Sequence, residues 1–245
     1  METIIETIME TIAQFFREIL SSQIFLLTLT VLVYYGAQIL YKKWQFFWLN
    51  PVLLAALVIV LILNATQIDY QLYYQSNEII NFLLRISVIP LSYLLHKNIK
   101  RINRYKLSIV CSTFIGSIVG VLSVILLAKL FGLDLSLIYS LEPKSITTPI
   151  AITLSKNIGG MPAVTTFAVA IAGVFGNAVG PQVLKFFGVK DSMAMGLALG
   201  SSSHAIGTAR AMELGALEGA VSGAAIGLMG LFTTLTLPLI NWLLL

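Results

Sequence analysis

The sequence predicts an all-α, polytopic membrane protein with seven or eight spans, including broken or re-entrant helices at 145–160 and 193–210. Three observations predict it. Hydrophobic residues make up 58% of the 245-residue chain and charged residues only 11%, against about 25% charged in a soluble domain; mean hydropathy is +0.91. Apolar runs near the ~20 residues that a helical span requires recur along the chain. Two further apolar segments are interrupted by Gly, Pro and hydroxyl residues, the pattern of membrane helices whose freed backbone groups are satisfied by neighbours or a ligand. The expected organisation is an amphipathic helix over 1–20 and a single integral membrane domain over 21–245. Its first half is 21–130; its second half, 131–245, carries the site.

Residues 1–20, METIIETIMETIAQFFREIL, place Ile5, Ile8, Ile12, Phe15 and Ile19 on one helical face and Glu2, Glu6, Glu10 and Glu18 elsewhere. Such a helix lies in the bilayer interface or packs on the chain's own spans. No basic n-region precedes it, so no cleaved signal peptide is expected. Spans follow at 23–41, 46–65, 79–95 and 107–130. Lys42 and Lys43 follow the first. The connector 66–78 has Asp69 and Glu78 but no Lys or Arg, whereas 96–106 holds Lys97, Lys100, Arg101, Arg104 and Lys106. The cytoplasmic bias of Lys and Arg then puts the N-terminus outside, 42–45 inside, 66–78 outside, 96–106 inside and 131–144 outside. The multi-pass protein is expected in the cell membrane. The net charge of +4 reflects these basic connectors and speaks to orientation, not to nucleic acid.

Beyond 144 the pattern changes. SITTPIAITLSKN at 145–157 is too short to span, and Ile158-Gly159-Gly160-Met161-Pro162 is a turn signal. A span over 162–180 is closed by Pro181-Gln182, 182–192 is a short amphipathic connector, 193–212 is broken, and the last span runs over about 216–240.

Glu142-Pro143-Lys144-Ser145-Ile146-Thr147-Thr148-Pro149 brackets three hydroxyls with prolines at the mouth of a half-helix. A helix N-terminus offers free N–H groups and a positive dipole end to an anion, and Ser145, Thr147 and Thr148 add donors. The alternative is plain N-capping by Ser145, with threonines bonding back to their own helix. The second broken segment, Ser201-Ser202-Ser203-His204-Ala205-Ile206-Gly207-Thr208-Ala209-Arg210, puts hydroxyls, an imidazole and a guanidinium at membrane depth, where such groups usually face a partner or an aqueous path. A break at Gly207 would bring His204 and Arg210 to one cavity. Arg210 forks well onto a carboxylate, unless Glu213 simply neutralises it. His204 is the candidate for carrying a coupling proton, against a neutral ring bonded to a hydroxyl.

Between 107 and 210 the only acidic residues, Asp134, Glu142 and Asp191, fall in predicted connectors, so no carboxylate pair is available and the site is neutral to positive. That favours an anionic substrate. One cysteine, Cys111, excludes an internal disulfide and a cysteine metal cluster. No nucleophile–base pair, metal-ligand cluster or cofactor motif is present, so no enzyme is expected. Gly215, Gly219, Gly223 and Gly227 form a small-xxx-small packing seam, with shorter ones at Gly116/Gly120 and Gly176/Gly180.

PKSITTPIA at 143–151, NIGGMPAVT at 157–165 and GLALGSSSHAIGTARAMELGALEGAVSG at 196–223, with their spacing, closely resemble the LrgB/CidB-like family from about Asn50 to the C-terminus. The resemblance implies an antiholin-like membrane protein, often partnered by a small LrgA/CidA-type protein. It also implies kinship with plastid glycolate/glycerate carriers, with bacterial relatives implicated in pyruvate movement, and with transporter folds that use crossed broken helices. One stretch departs from the family pattern: Arg85 stands where a Gly of a Gly-Pro pair is usual, and the proline falls at Pro90.

The expected function is therefore a membrane carrier for small monocarboxylates, with an antiholin- or holin-like regulator of murein hydrolase export and lysis, acting by assembly, as the alternative. The candidate binding set is Ser145, Thr147, Thr148, Asn157, Ser202, Ser203, His204, Gly207, Thr208 and Arg210, with no metal and no cofactor. The expected partners are the bilayer, a small organic anion, a second copy of the chain in a dimer and a small LrgA/CidA-like protein.

Overall fold

The computed structural model describes residues 14, 19–44, 49–86 and 88–245, all helix and connector with no strand among them. The amphipathic helix expected over 1–20 lies almost wholly outside the described residues, as do the side chains of Arg85 and Pro90. The chain divides into two compact units, 1–88 and 89–245.

The first unit holds α1 (Gln23–Trp44), α2 (Pro51–Thr66), α3 (Tyr70–Ser76) and α4 (Glu78–Ile86). Asn50 starts α2 by accepting from the Val52 and Leu53 amides, and Asp69 starts α3 by accepting from Gln71 N. Thr30 and Tyr73 join α1 to α3 through their hydroxyls, 2.9 Å apart.

The second unit comprises α5 (Val88–Lys97), α6 (Ile99–Arg104), α7 (Lys106–Leu130), α8 (Leu135–Leu141), α9 (Thr148–Asn157), α10 (Pro162–Phe186), α11 (Ser192–Leu214) and α12 (Ala216–Leu244). Val121, Ile125 and Ala128 of α7 form a core with Ile138 of α8 and Leu237 and Ile240 of α12. A second core joins Ile146, Ala151, Val169 and Met229. The α9–α10 turn is pinned by Thr165 Oγ1 donating to Ser155 Oγ and Met161 N donating to Ser140 Oγ, both 2.7 Å. Gly159 takes φ 93°, a left-handed conformation that suits glycine.

Among the described residues, four helices are long and apolar enough to cross a membrane: α1, α7, α10 and α12. This is fewer than the seven or eight spans read from hydropathy. Predicted span 46–65 is an apolar helix of only 16 residues; predicted span 79–95 falls on two helices, α4 and α5; and α11 has the length but carries polar groups at its centre. Pro181 does not end its helix: α10 runs through it to Phe186. Pro181 is buried, where packed neighbours tolerate a membrane proline.

α11 and α12 approach closely at glycines. A Cβ on Gly196 would strike the Glu218 carbonyl, and one on Gly200 the Ser222 carbonyl. Of the 215–227 seam, Gly219 takes part in this approach, since a Cβ there would strike Met212 of α11, whereas Gly227 has open space around it.

Candidate functional site

The helix 192–214 is broken at Ser203 (φ −135°, ψ 16°) and His204 (φ 43°, ψ −135°). The break predicted at Gly207 therefore sits one turn earlier. Gly207 stays helical and lets the chain fold tightly on itself: a Cβ there would strike the Leu199 carbonyl and the Ser203 side chain. His204 carries a positive φ, uncommon for a residue with a Cβ and often retained where function requires it.

The glycines of α10 make room for the break. A Cβ on Gly173 would come 2.5 Å from His204 Cε1, and one on Gly176 would collide with the Ser203 hydroxyl. His204 Nε2 lies 2.9 Å from the Val169 carbonyl, and Asn177 Nδ2 donates to the Ile206 carbonyl at 3.0 Å. On the other side, Thr208 Oγ1 donates to the His204 carbonyl at 3.0 Å and pairs with Ser222 Oγ of α12 at 2.7 Å. Ser203, His204, Thr208 and Ser222 are all buried. Ser202 is exposed, donates to the Ala198 carbonyl at 2.8 Å and meets Ser203 Oγ at 2.9 Å.

Ser202, Ser203 and Lys144 are the polar side chains lining a cleft of about 730 Å³ that is otherwise walled by apolar side chains such as Phe167 and Phe175. Two hydroxyls and one ammonium in an apolar cleft can hold a small anion. Burial lowers the affinity of the Lys144 amine for its proton, and its Nζ donates to Ser145 Oγ at 3.3 Å.

The structure thus brings Ser202, Ser203, His204, Gly207 and Thr208 together, and leaves the rest of the candidate set elsewhere. Arg210 forms an ion pair with Glu213 one turn on, the neutralising arrangement. Asn157 is exposed at the end of α9. Thr147 occupies the cap position of α9 without a side-chain cap bond, and Ser145 faces a separate small cavity beside Ser117, Glu142 and Thr233. Gly173, Asn177, Lys144 and Ser222 belong to the site and are missing from the candidate set. Asn177, a polar residue in the middle of an apolar span, is the one with a legible signal in the sequence.

The LrgB-like family model matches residues 30–243. The uncharacterized protein YxaC of Bacillus subtilis (strain 168) is 36% identical over 220 residues, 90% of this chain and 96% of the relative. YwbG of the same organism is 34% identical over 212 residues, 86% and 94% of the two chains. The antiholin-like protein LrgB of Bacillus cereus (strain B4264) is 34% identical over 210 residues, 85% and 91%. No solved structure matches the chain.

Proposed function

From the premise that this chain belongs to the LrgB-like family of membrane proteins, we propose that it is an antiholin-like protein of the cell membrane, restraining murein hydrolase export and lysis by assembly. It assembles as a dimer or with a small LrgA/CidA-like partner, with connector 96–106 on the cytoplasmic side. The observation that carries this reading is its similarity, over most of their length, to relatives named antiholin-like protein LrgB. Expressed beside a holin-type pore, the protein delays lysis and dye release; unchanged lysis timing with the protein present in the membrane sinks the reading.

A second reading, a carrier for small monocarboxylates, is favoured by one feature of the fold. The break at Ser203–His204 sits in the middle of a 23-residue helix, flanked by the polar contacts of Asn177 and Thr208, and Ser202 and Ser203 beside it line a cleft. A regulator acting only by assembly needs no such interruption, whereas discontinuous helices are where carriers place their sites. The two readings part in proteoliposomes. A carrier takes up labelled pyruvate, lactate, glycolate or glycerate saturably and excludes larger dyes. Absence of uptake for all four, with folded protein and any small partner present, removes this reading.

A further inference from the structure

Glu142 lies in the connector between α8 and α9, outside the spanning helices, yet it is only 2% exposed. Its Oε2 accepts a hydrogen bond from Asn241 Nδ2, near the end of α12, at 2.8 Å. The two remaining oxygens of the pair, Glu142 Oε1 and Asn241 Oδ1, are both buried without a hydrogen-bond partner. In an ionised pair both are acceptors, so neither can satisfy the other. Buried polar atoms are rarely left this way, and a buried carboxylate without a counter-charge is costly.

Among the described residues, no neighbouring charge answers it. The charged and titratable groups of the surrounding elements are Lys106, Cys111 and Lys129 of α7, Asp134 and Tyr139 at α8, Lys144 in the connector, Lys156 of α9 and Glu218 of α12. Lys129 Nζ donates to the Leu244 carbonyl and Lys144 Nζ to Ser145 Oγ. Among the described residues the ion pair formed is Arg210–Glu213, far along the sequence from Glu142. Beside the carboxylate is a cavity of about 10 Å³, lined on its polar side by Ser117, Ser145 and Thr233. That is room for one water.

We propose that Glu142 and Asn241 form a proton-binding site. A proton on Glu142 Oε1 is donated to Asn241 Oδ1, and with the Nδ2-to-Oε2 bond it closes a doubly hydrogen-bonded acid–amide ring. One proton satisfies both orphaned oxygens and removes the buried charge. On deprotonation it passes to a water in the adjacent cavity, and the ring opens on that side. Burial pushes the carboxyl up to about 7, so occupancy changes near neutrality. The ring ties the connector leading into α9 to the end of α12, whichever reading of the function holds.

The test is infrared difference spectroscopy on the purified full chain, titrated from about pH 5 to 9, a range that brackets the raised value. A protonated-carboxyl C=O band is expected that disappears with a midpoint near neutrality, is absent in Glu142→Gln and changes frequency in Asn241→Leu. Glu142→Gln keeps the fold, because an amide at that position makes the same ring with Asn241; it remains informative if Asn241→Leu does not fold. No such band at any pH overturns the proposal. So does a midpoint that falls as sodium replaces choline in the buffer, which would make the cavity a metal-cation site.

Discussion

The imidazole of His204 leaves the break in α11 and reaches the main-chain carbonyl of Val169 on α10, 2.9 Å from Nε2. In the neutral ring this contact puts the hydrogen on Nε2 and leaves Nδ1 as the acceptor. Val169 also belongs to the core formed with Ile146, Ala151 and Met229, so the same residue serves the start of α9 with its side chain and the break with its carbonyl. The break is therefore fastened from outside its own helix.

That arrangement gives His204 two opposing energies. The backbone at φ 43° favours glycine, with about 1–3 kcal/mol stored in such a conformation; the bond to Val169 returns ~1 kcal/mol. His204→Ala loses the bond and keeps the strain, whereas His204→Gly loses the bond and relieves the strain. In detergent-solubilised protein, His204→Gly is expected to melt higher than His204→Ala. The reverse order would mean that the break is not in this conformation.

Gly173 and Gly176 are predicted to be intolerant of a single methyl group. Gly176→Ala places Cβ on the Ser203 hydroxyl and Gly173→Ala presses on the His204 ring. Overpacking of this kind costs about 1–3 kcal/mol, and the neighbours that must yield are the break itself. Gly227→Ala, in open space, is the control and is expected to hold or slightly raise stability through helix propensity. Equal melting temperatures for all three variants would disprove the close approach.

Thr208 and Ser222 form a buried hydroxyl pair between α11 and α12, 2.7 Å apart. Interhelical hydrogen bonds in membrane proteins couple by ~0.6 kcal/mol on average. A cycle of Thr208→Val, Ser222→Ala and the double variant is expected to show positive coupling of that size. Strictly additive losses would place the two hydroxyls in separate environments.

The outline of the second half of this chain is legible in its sequence. The broken segment around Ser201–Arg210 and the short helix after Pro143 stand out, because hydroxyls and prolines rarely interrupt an apolar run that simply spans a bilayer. The position of the break is not legible. Gly207 is the obvious breaker by propensity, but its lack of a side chain is used for close packing on Leu199, and tertiary contacts with α10 impose the strained conformation on His204 instead. A break at Gly207 would leave Arg210 and Glu213 on the same stretch of helix, where residues three apart meet, and the ion pair they form is the outcome. Glu142 has the sequence context of an exposed connector residue, and hydropathy cannot foresee that Asn241, 99 positions later, closes over it.

Arg210 and Glu213 are partly exposed, 28% and 63% at their side chains, so their ion pair is worth at most ~1 kcal/mol. Arg210→Gln is expected to melt close to the parent protein, whereas the buried Thr208→Val is not. A loss of several kcal/mol in Arg210→Gln would show that the guanidinium serves a further, buried partner.

Glu142 predicts the sign of the pH dependence of stability. Below about pH 4.5, the ordinary carboxyl value, the group is neutral in both folded and unfolded chains and makes no pH-dependent difference. As pH rises, the unfolded chain releases this proton first, while the folded chain holds it until about 7. The folded state binds more protons across that window, so stability falls with rising pH and flattens above it. A carboxylate held by a salt bridge would give the opposite slope. The full difference is at most ~3 kcal/mol. Chemical unfolding of the parent protein between about pH 4.5 and 8 is therefore expected to show a decline that Glu142→Gln removes, because the amide carries no proton to release and pairs with Asn241 at every pH. A decline of equal size in Glu142→Gln would assign the effect to another group, and a parent stability that is flat through this window would show that Glu142 is held as a carboxylate by an opposing charge, whose own slope lies below pH 4.5.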